Sequence, residues 1–201
     1  DIDGPSNIGG YFSPGIASLR EAIFVDSSDL GWRNVIFAHE FEHLLHNARD
    51  PLEYAWIDEG NADMAAFLIL GAESTLIGHS NGWASNASCS VRWWNQRADC
   101  DYGAGFLFML YLADKLGGGQ AIQSLVADTS TGGASIENLA RNPVPGSPGN
   151  IGTTMDEIFA NFTAAAVLDS QQGRFGFNNI EMGGTCSNSA FCRLQLTDQN
   201  F

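Results

Sequence analysis

The chain has 201 residues, of which 44% are hydrophobic, so it is long enough to bury one core. Acidic residues outnumber Lys and Arg by 23 to 9, for a net charge of −14, which excludes the basic surface of a nucleic-acid-binding protein. Only 16% of the residues are charged, too few for an acidic disordered chain, and no apolar run is long enough to span a membrane.

Two short strands are predicted near the N-terminus, at residues 10–13 and 21–26. Both are rich in aromatic and β-branched residues. The turn signals Pro14-Gly15 and Ser27-Ser28 follow them and mark where each strand ends.

A helix is predicted next, over residues 34–46, and it contains the pattern H-E-x-x-H from His39 to His43. Residues four apart on a helix share a face, so both imidazoles can reach one metal ion while Glu40 reaches a water activated by that ion. Because the chain has only 4 His, the pattern arises by chance with a probability of roughly one per cent or less. The sequence therefore predicts a catalytic zinc site.

A catalytic zinc ion needs a third protein ligand and an open position for water. After a turn at Asp50-Pro51, a second helix is predicted over residues 58–70, and it can pack beside the first. Glu59, in the first turn of this helix, is the favoured third ligand. Asp58 and Glu53 are the alternatives; Asp58 could instead cap the helix.

Neighbouring residues exclude one other zinc arrangement and add a supporting carboxylate. The extended pattern H-E-x-x-H-x-x-G-x-x-H would need Gly at position 46 and His at position 49, where this chain has His46 and Arg49. His46 shares the face of the ligands, but we expect it to line the pocket or cap the helix. Asp63, one turn after Glu59, is expected to accept the second N–H of a ligating histidine; the alternative is a solvated helix residue.

The remaining chain is predicted to be helical between loops. Residues 71–101 are predicted to form a loop that contains His79, and Tyr102 immediately precedes the next helix. Further elements are predicted as helices at 103–116, 120–127, 136–140 and 154–168, the last opened by a capping box, and as a strand at 191–196.

The four cysteines fall as two close pairs without the C-x-x-C spacing of a zinc site. Two local disulfides are predicted, and free buried thiols are the alternative. Disulfides indicate a secreted, extracellular protein. The pairs are Cys89 with Cys100 and Cys186 with Cys192.

The ligand set His39-Glu40-x-x-His43 with Glu59-x-x-x-Asp63 resembles the gluzincin metallopeptidases, which have a thermolysin-like active site. Within that group the chain is most similar to the hyicolysin family, and the resemblance covers roughly the first 120 residues. It implies an α+β, zincin-like fold, in which a small N-terminal β-sheet and the active-site helix precede a mainly helical C-terminal part. The stretches that carry it, besides the zinc helix, are residues 1–4, 10–12, 21–26, 56–60 and 102–112.

The resemblance implies a secreted zinc endopeptidase that hydrolyses peptide bonds of proteins. Glu40 would act as general base on a zinc-activated water and pass the proton to the leaving amine. Tyr102 is the candidate donor for the oxyanion, with His79 a weaker candidate. The strand at 21–26 is expected to be the edge that pairs with an extended substrate.

One metallopeptidase domain over residues 1–201 is predicted. Its parts are a strand-rich segment 1–30, active-site helices 31–71, a mainly helical part 102–170 and a disulfide-tied tail 175–201. Zinc is the predicted cofactor, and calcium is a second candidate without assigned ligands. Residues 1–4 give only a fragment of a calcium-loop pattern, and Asp99 with Asp101 is an equal alternative. Two alternative functions are an inactive or latent zinc-bearing binding or adhesion domain and a zinc hydrolase acting on a non-peptide substrate.

Overall fold

The computed structural model describes residues 8–17, 19–26, 31–85, 89–94, 98–168, 170, 173–178, 180–181 and 195–196. In chain order, its elements are β1 Gly10–Phe12, α1 Pro14–Ala17, β2 Ile23–Val25, α2 Arg33–Asn47, α3 Ala55–Leu70, α4 Ser74–Ser85, α5 Ala98–Leu116, α6 Gly118–Ala127, α7 Gly133–Arg141, α8 Met155–Leu168, β3 Ile180–Glu181 and β4 Gln195–Leu196.

The described strands form two small antiparallel pairs. β1 pairs with β2 so that Tyr11 lies opposite Phe24, and their rings stack with centroids 4.7 Å apart. β3 pairs with β4, which falls within the strand predicted at 191–196. The structure is thus mostly helical with a small N-terminal antiparallel sheet, which confirms the predicted α+β class in general terms.

Helix α5 is the centre of the hydrophobic core. Every residue from 106 to 113 is 0% exposed, and α3, α4 and α6 all pack against this helix. A helix that is apolar on every side has to be surrounded to be stable in water. The site described below is therefore built on helices that are fixed by this core.

Two close approaches of α5 depend on glycine. A Cβ atom on Gly60 of α3 would lie 2.9 Å from the carbonyl oxygen of Gly105, closer than real Cβ contacts. A Cβ atom on Gly103 would collide with the carbonyl group of His79 on α4. The absence of a side chain at Gly103 therefore lets α4 approach α5 and places His79 beside Tyr102.

Helix α2 has an unusual distribution of side chains. Its outer face exposes large apolar side chains by 42–52%: Phe37, Phe41 and Leu45. Its inner face buries ionisable ones: Glu40, Glu42, His43 and His46. Charged and titratable groups are seldom buried unless they are paired or bind an ion, so this inversion marks α2 as the functional helix.

The predicted loop at 71–101 is wrong in part, because α4 occupies residues 74–85. Gly78 and Gly82 lower the helix propensity of this segment, but a Cβ atom on Gly82 would lie 2.8 Å from the backbone of Asp99. Gly82 thus serves the packing of α4 on α5, whereas a Cβ atom on Gly78 would meet nothing within 4 Å. Consequently His79 lies on a helix rather than in a loop.

Other boundaries moved by a few residues. α3 begins at Ala55 rather than at 58, and α5 begins at Ala98 rather than at 103, so Tyr102 lies inside the helix. The capping box that opens α8 is confirmed: the N–H of Glu157 donates to Oγ1 of Thr154 at 3.3 Å, and the N–H of Thr154 donates to the Glu157 carboxylate at 3.2 Å.

The disulfide between Cys89 and Cys100 is confirmed, and it ties the segment after α4 to the first turn of α5. The second predicted pair, Cys186 and Cys192, lies outside the described residues.

Within the described part of the chain, none of the helices combines the length and the apolar character that crossing a membrane requires.

Candidate metal centre and cleft

Helices α2 and α3 pack side by side and bring three donor atoms together. Nε2 of His39 lies 3.1 Å from Nε2 of His43 and 3.1 Å from Oε2 of Glu59, and Nε2 of His43 lies 3.4 Å from the same oxygen. Ligands at about 2.0–2.1 Å from a tetrahedral zinc ion lie about 3.3 Å from each other. The three atoms therefore have the spacing of ligands around such an ion.

The other nitrogen of His39 is held by a buried carboxylate. Its Nδ1 lies 2.9 Å from Oδ1 of Asp63, whose Oδ2 lies 2.6 Å from Nδ1 of His79. Burial raises the pKa of Asp63, but the two histidines outweigh burial and hold it at about 2. Asp63 is therefore ionised and accepts from both imidazoles, which leaves Nε2 of His39 directed at Glu59.

The third-ligand alternatives lie elsewhere. Oδ2 of Asp58 is 3.1 Å from Nδ1 of His43, the nitrogen opposite the one that faces Glu59. This is an ionic contact, not directed well enough to be a hydrogen bond. Oε1 of Glu53 accepts the backbone N–H groups of Tyr54 at 2.6 Å and Gly132 at 2.8 Å. Of the three carboxylates, Glu59 is the one whose oxygen meets both Nε2 atoms.

The converging groups attract positive charge. Burial lowers the pKa of His39, but the hydrogen bonds to Asp63 and Glu59 outweigh it and raise the pKa to about 10. Burial likewise opposes protonation of His43, yet Asp58 and Glu59 raise its pKa well above 6.5. Without a metal ion, the carboxylates hold protons on these imidazoles, and a cation that binds here has to displace those protons.

Glu40 is fixed from the side of the sheet. Its side chain is buried, and burial raises the pKa of its carboxyl group. The backbone N–H of Phe12 in β1 donates to the carboxylate, and this hydrogen bond lowers the pKa in part. A Cβ atom on Gly10 would lie 3.2 Å from Cγ of Glu40 and 2.5 Å from Cγ2 of Ile36. No larger residue than glycine therefore fits where β1 crosses Glu40.

Two clefts meet at these residues. One has a volume of about 440 Å³ and is lined by His43 and Glu59, and the other has a volume of about 330 Å³ and is lined by His79. Their shared lining residues are Gly10, His39, Glu40 and Tyr102. The donor atoms thus lie partway along a groove with space on both sides.

The strand beside this groove is β1 rather than β2, so the expectation that residues 21–26 line it is wrong. Gly10 lines both clefts, and Tyr11 and Phe12 line the larger one. β2 pairs with β1 and contributes no residue to the lining of either cleft.

The two oxyanion candidates lie together. The rings of Tyr102 and His79 stack with centroids 4.7 Å apart, and the Tyr102 ring is 6.0 Å from that of His39. Burial and the charges of Glu59 and Asp63 raise the pKa of Tyr102, and its phenol hydrogen-bonds to Glu59. Tyr102 therefore stays protonated and remains a hydrogen-bond donor at the centre of the groove.

His46 does not line the cleft or cap the helix as expected, because its side chain is 1% exposed at the interface with α3. Its Nδ1 lies 3.4 Å from Oε1 of Glu42 and 3.3 Å from Oδ1 of Asp58. Burial raises the pKa of Glu42 to about 7. Sequence reasoning missed Glu42, although its position four residues before His46 places it on the same helix face.

The calcium candidates do not join these groups. Asp99 and Asp101 lie in the first turn of α5, and residues 1–4 are outside the described part of the chain. Within the described residues, two sets of His and carboxylate ligand atoms lie within 4.8 Å of one another: His39 with His43 and Glu59, and Glu42 with His43 and Asp58. Buried His, Glu and Asp side chains could therefore hold a metal ion here.

Comparison with known proteins adds no assignment. No protein-family model matches the chain, and no curated protein matches it. The function has to be argued from the geometry of the groove.

Proposed function

We propose that this chain is a zinc-dependent endopeptidase of gluzincin type with a zincin-like fold. The observation that carries the proposal is the convergence of His39, His43 and Glu59 within 3.1–3.4 Å of each other, with Glu40 in the same groove. Two imidazoles and one carboxylate are a ligand set of catalytic zinc, and their position on a groove leaves a coordination place for water or substrate. When bound, zinc would lower the pKa of a water molecule and polarise the scissile carbonyl.

Glu40 is the general base in this proposal. Its carboxylate lies in the groove beside the donor atoms, and the Phe12 N–H holds it in place. Burial raises its pKa, which makes it a stronger base than an exposed glutamate. Glu40 takes the proton of the attacking water and delivers it to the leaving amine.

Tyr102 stabilises the negative charge that develops on the carbonyl oxygen. Its phenol stays protonated and already donates to Glu59, so a small rotation would direct it at the substrate. His79 holds the Tyr102 ring by stacking and is itself anchored to Asp63. We therefore assign the donor role to Tyr102 and a positioning role to His79.

The substrate would bind in an extended form along β1. The N–H of Asp26 donates to the carbonyl of Gly9 at 2.7 Å, so Gly9 and Asp26 form a hydrogen-bonded pair of the ladder. By alternation, the N–H and C=O groups of Gly10 and Phe12 face away from β2, and Phe12 indeed uses its N–H on Glu40. Gly10 is thereby free to pair with a peptide backbone, which gives affinity with little sequence dependence.

The groove has space on both sides of the donor atoms, which favours cleavage within a chain. The Cys89–Cys100 disulfide supports a secreted enzyme.

The test is cleavage of unfolded casein by the purified chain, before and after removal of metal with a chelator, and after zinc is added back. The proposal predicts cleavage that the chelator abolishes and zinc restores. Magnesium, which prefers oxygen ligands, serves as the control ion and should restore nothing. Cleavage that survives complete removal of metal, or no cleavage by a chain that holds zinc on His39, His43 and Glu59, would refute the proposal.

A further inference from the structure

A second group of ionisable side chains is buried on the other side of His43. Glu42 is 5% exposed and His46 is 1% exposed, and neither oxygen of Glu42 nor Nδ1 of His46 makes a hydrogen bond. A buried carboxylate without a hydrogen bond is costly, by several kcal/mol when it is charged. The peptidase mechanism proposed above uses neither residue, and the ion pairs of Glu42 with His46 and His43, at 3.4 and 3.9 Å, leave its oxygens without a hydrogen bond.

Two carboxylates of this group face Nδ1 of His46. Nδ1 of His46 lies 3.4 Å from Oε1 of Glu42 and 3.3 Å from Oδ1 of Asp58. Ligand atoms of Glu42 and Asp58 also lie within 4.8 Å of each other, in a set whose third member is His43. An imidazole N–H can donate well to one acceptor, so a single proton cannot satisfy both carboxylates. The two separations from Nδ1 of His46, 3.4 Å to Glu42 and 3.3 Å to Asp58, are those of neighbouring ligands around a small tetrahedral ion.

We propose that Glu42, His46 and Asp58 form a second metal site, which binds a divalent transition-metal ion of the zinc class. The donor set of one imidazole nitrogen and two carboxylate oxygens suits zinc and its neighbours in the first transition row. Calcium and magnesium take oxygen ligands and are disfavoured by His46. Two carboxylates also supply the negative charge that neutralises a divalent ion in a buried place.

The second site is distinct from the first but connected to it. The first uses Nε2 of His39 and His43 with Glu59, whereas the second lies on the Nδ1 side of His43. Asp58 connects the two, since Oδ1 faces His46 and Oδ2 lies 3.1 Å from Nδ1 of His43. Asp58 also lines the larger cleft, which gives an ion a path to the site from solvent. An ion bound to Asp58 would therefore fix the position of the carboxylate that contacts Nδ1 of His43.

The direct experiment is X-ray diffraction from crystals of the zinc-loaded chain, with anomalous maps collected on both sides of the zinc absorption edge. The inference predicts a zinc peak between Glu42, His46 and Asp58, in addition to the one between His39, His43 and Glu59. A peak at the first site only, with none between Glu42, His46 and Asp58, would overturn the inference and leave the proposed peptidase intact. A peak at the second site only would support it and contradict the peptidase, so the two failures are distinguishable.

A solution measurement complements the crystal. After gel filtration in zinc-free buffer, the unaltered chain should retain about two zinc ions and Glu42→Gln about one, because the near-isosteric amide supplies no anionic ligand. Glu21→Gln, which changes an exposed glutamate outside both sites, is the matched control and should retain both ions. Circular dichroism verifies that each variant is folded. If Glu42→Gln and the unaltered chain retain the same amount of zinc, the site assignment is wrong.

Discussion

Nδ1 of His39 donates to Oδ1 of Asp63 over 2.9 Å, while the second oxygen of Asp63 accepts from His79. A carboxylate can accept from both imidazoles, whereas an asparagine offers one oxygen and can serve only one. We expect Asp63→Asn to weaken zinc binding about 10–100-fold, measured by competition with a coloured chelator. Asp156→Asn, at the exposed first turn of α8, should bind zinc as the unaltered chain does. Equal affinity in the two variants would remove Asp63 from the support of His39.

The third ligand is tested by comparing two adjacent acids. Glu59→Gln removes the oxygen that lies 3.1 Å from Nε2 of His39, so zinc at this site should be lost or bound at least about 100-fold more weakly. Asp58→Asn alters the contacts to Nδ1 of His43 and Nδ1 of His46 and removes no ligand of this site, so it should leave the zinc ion between His39, His43 and Glu59 bound, with lower affinity. Isothermal titration with zinc measures both. An unaltered zinc content in Glu59→Gln would exclude Glu59 as a ligand.

The role of Tyr102 is separable from its packing. Tyr102→Phe keeps the ring on His79 but removes the phenol, so we expect kcat to fall about 10–100-fold with KM nearly unchanged. The matched control is Tyr111→Phe in the core, whose phenol donates to the carbonyl of Arg174 over 2.8 Å. That variant should lose about 1 kcal/mol of stability without losing kcat. Equal kcat values for Tyr102→Phe and the unaltered chain would exclude the oxyanion role.

Zinc binding should release protons. Without metal, the pKa of His39 is raised from 6.5 to about 10 and that of His43 is raised well above 6.5, because the neighbouring carboxylates favour the protonated imidazoles. Zinc takes their Nε2 lone pairs, so at least about one proton should leave per ion bound at this site. Calorimetric titrations in buffers of different ionisation enthalpy count these protons, and a value near zero would contradict the assignment.

The same pKa shift sets the pH dependence of the metal-free chain. A histidine whose pKa is raised in the folded state stabilises the fold fully below its unfolded pKa of 6.5 and loses that contribution as pH rises toward about 10. The metal-free chain should therefore become less stable between about pH 6.5 and 10, whereas zinc binds more tightly as pH rises over the lower part of that range. Thermal melts at several pH values test the opposite trends.

The sequence could predict that His39 and His43 lie side by side because helix geometry alone places residues four apart on one face. Glu59 required only that the next helix pack beside the first. His79 could not be placed, since Gly78 and Gly82 around it favour a loop, and the use of Gly82 in the approach of α4 to α5 is a tertiary effect. The burial of Glu42 could not be predicted from the sequence for a similar reason. An acidic residue on a helix is usually solvated, and the packing of α2 on α3 is what buries this one.

The most direct test of the central claim is to measure zinc content and casein cleavage together in Glu40→Gln. The variant keeps every metal-binding residue but lacks the base, so it should retain zinc at His39, His43 and Glu59 and lose at least about a hundredfold in kcat. Glu21→Gln is the control and should cleave normally. If Glu40→Gln binds zinc and still cleaves casein at the normal rate, the groove is not the peptidase site proposed for it.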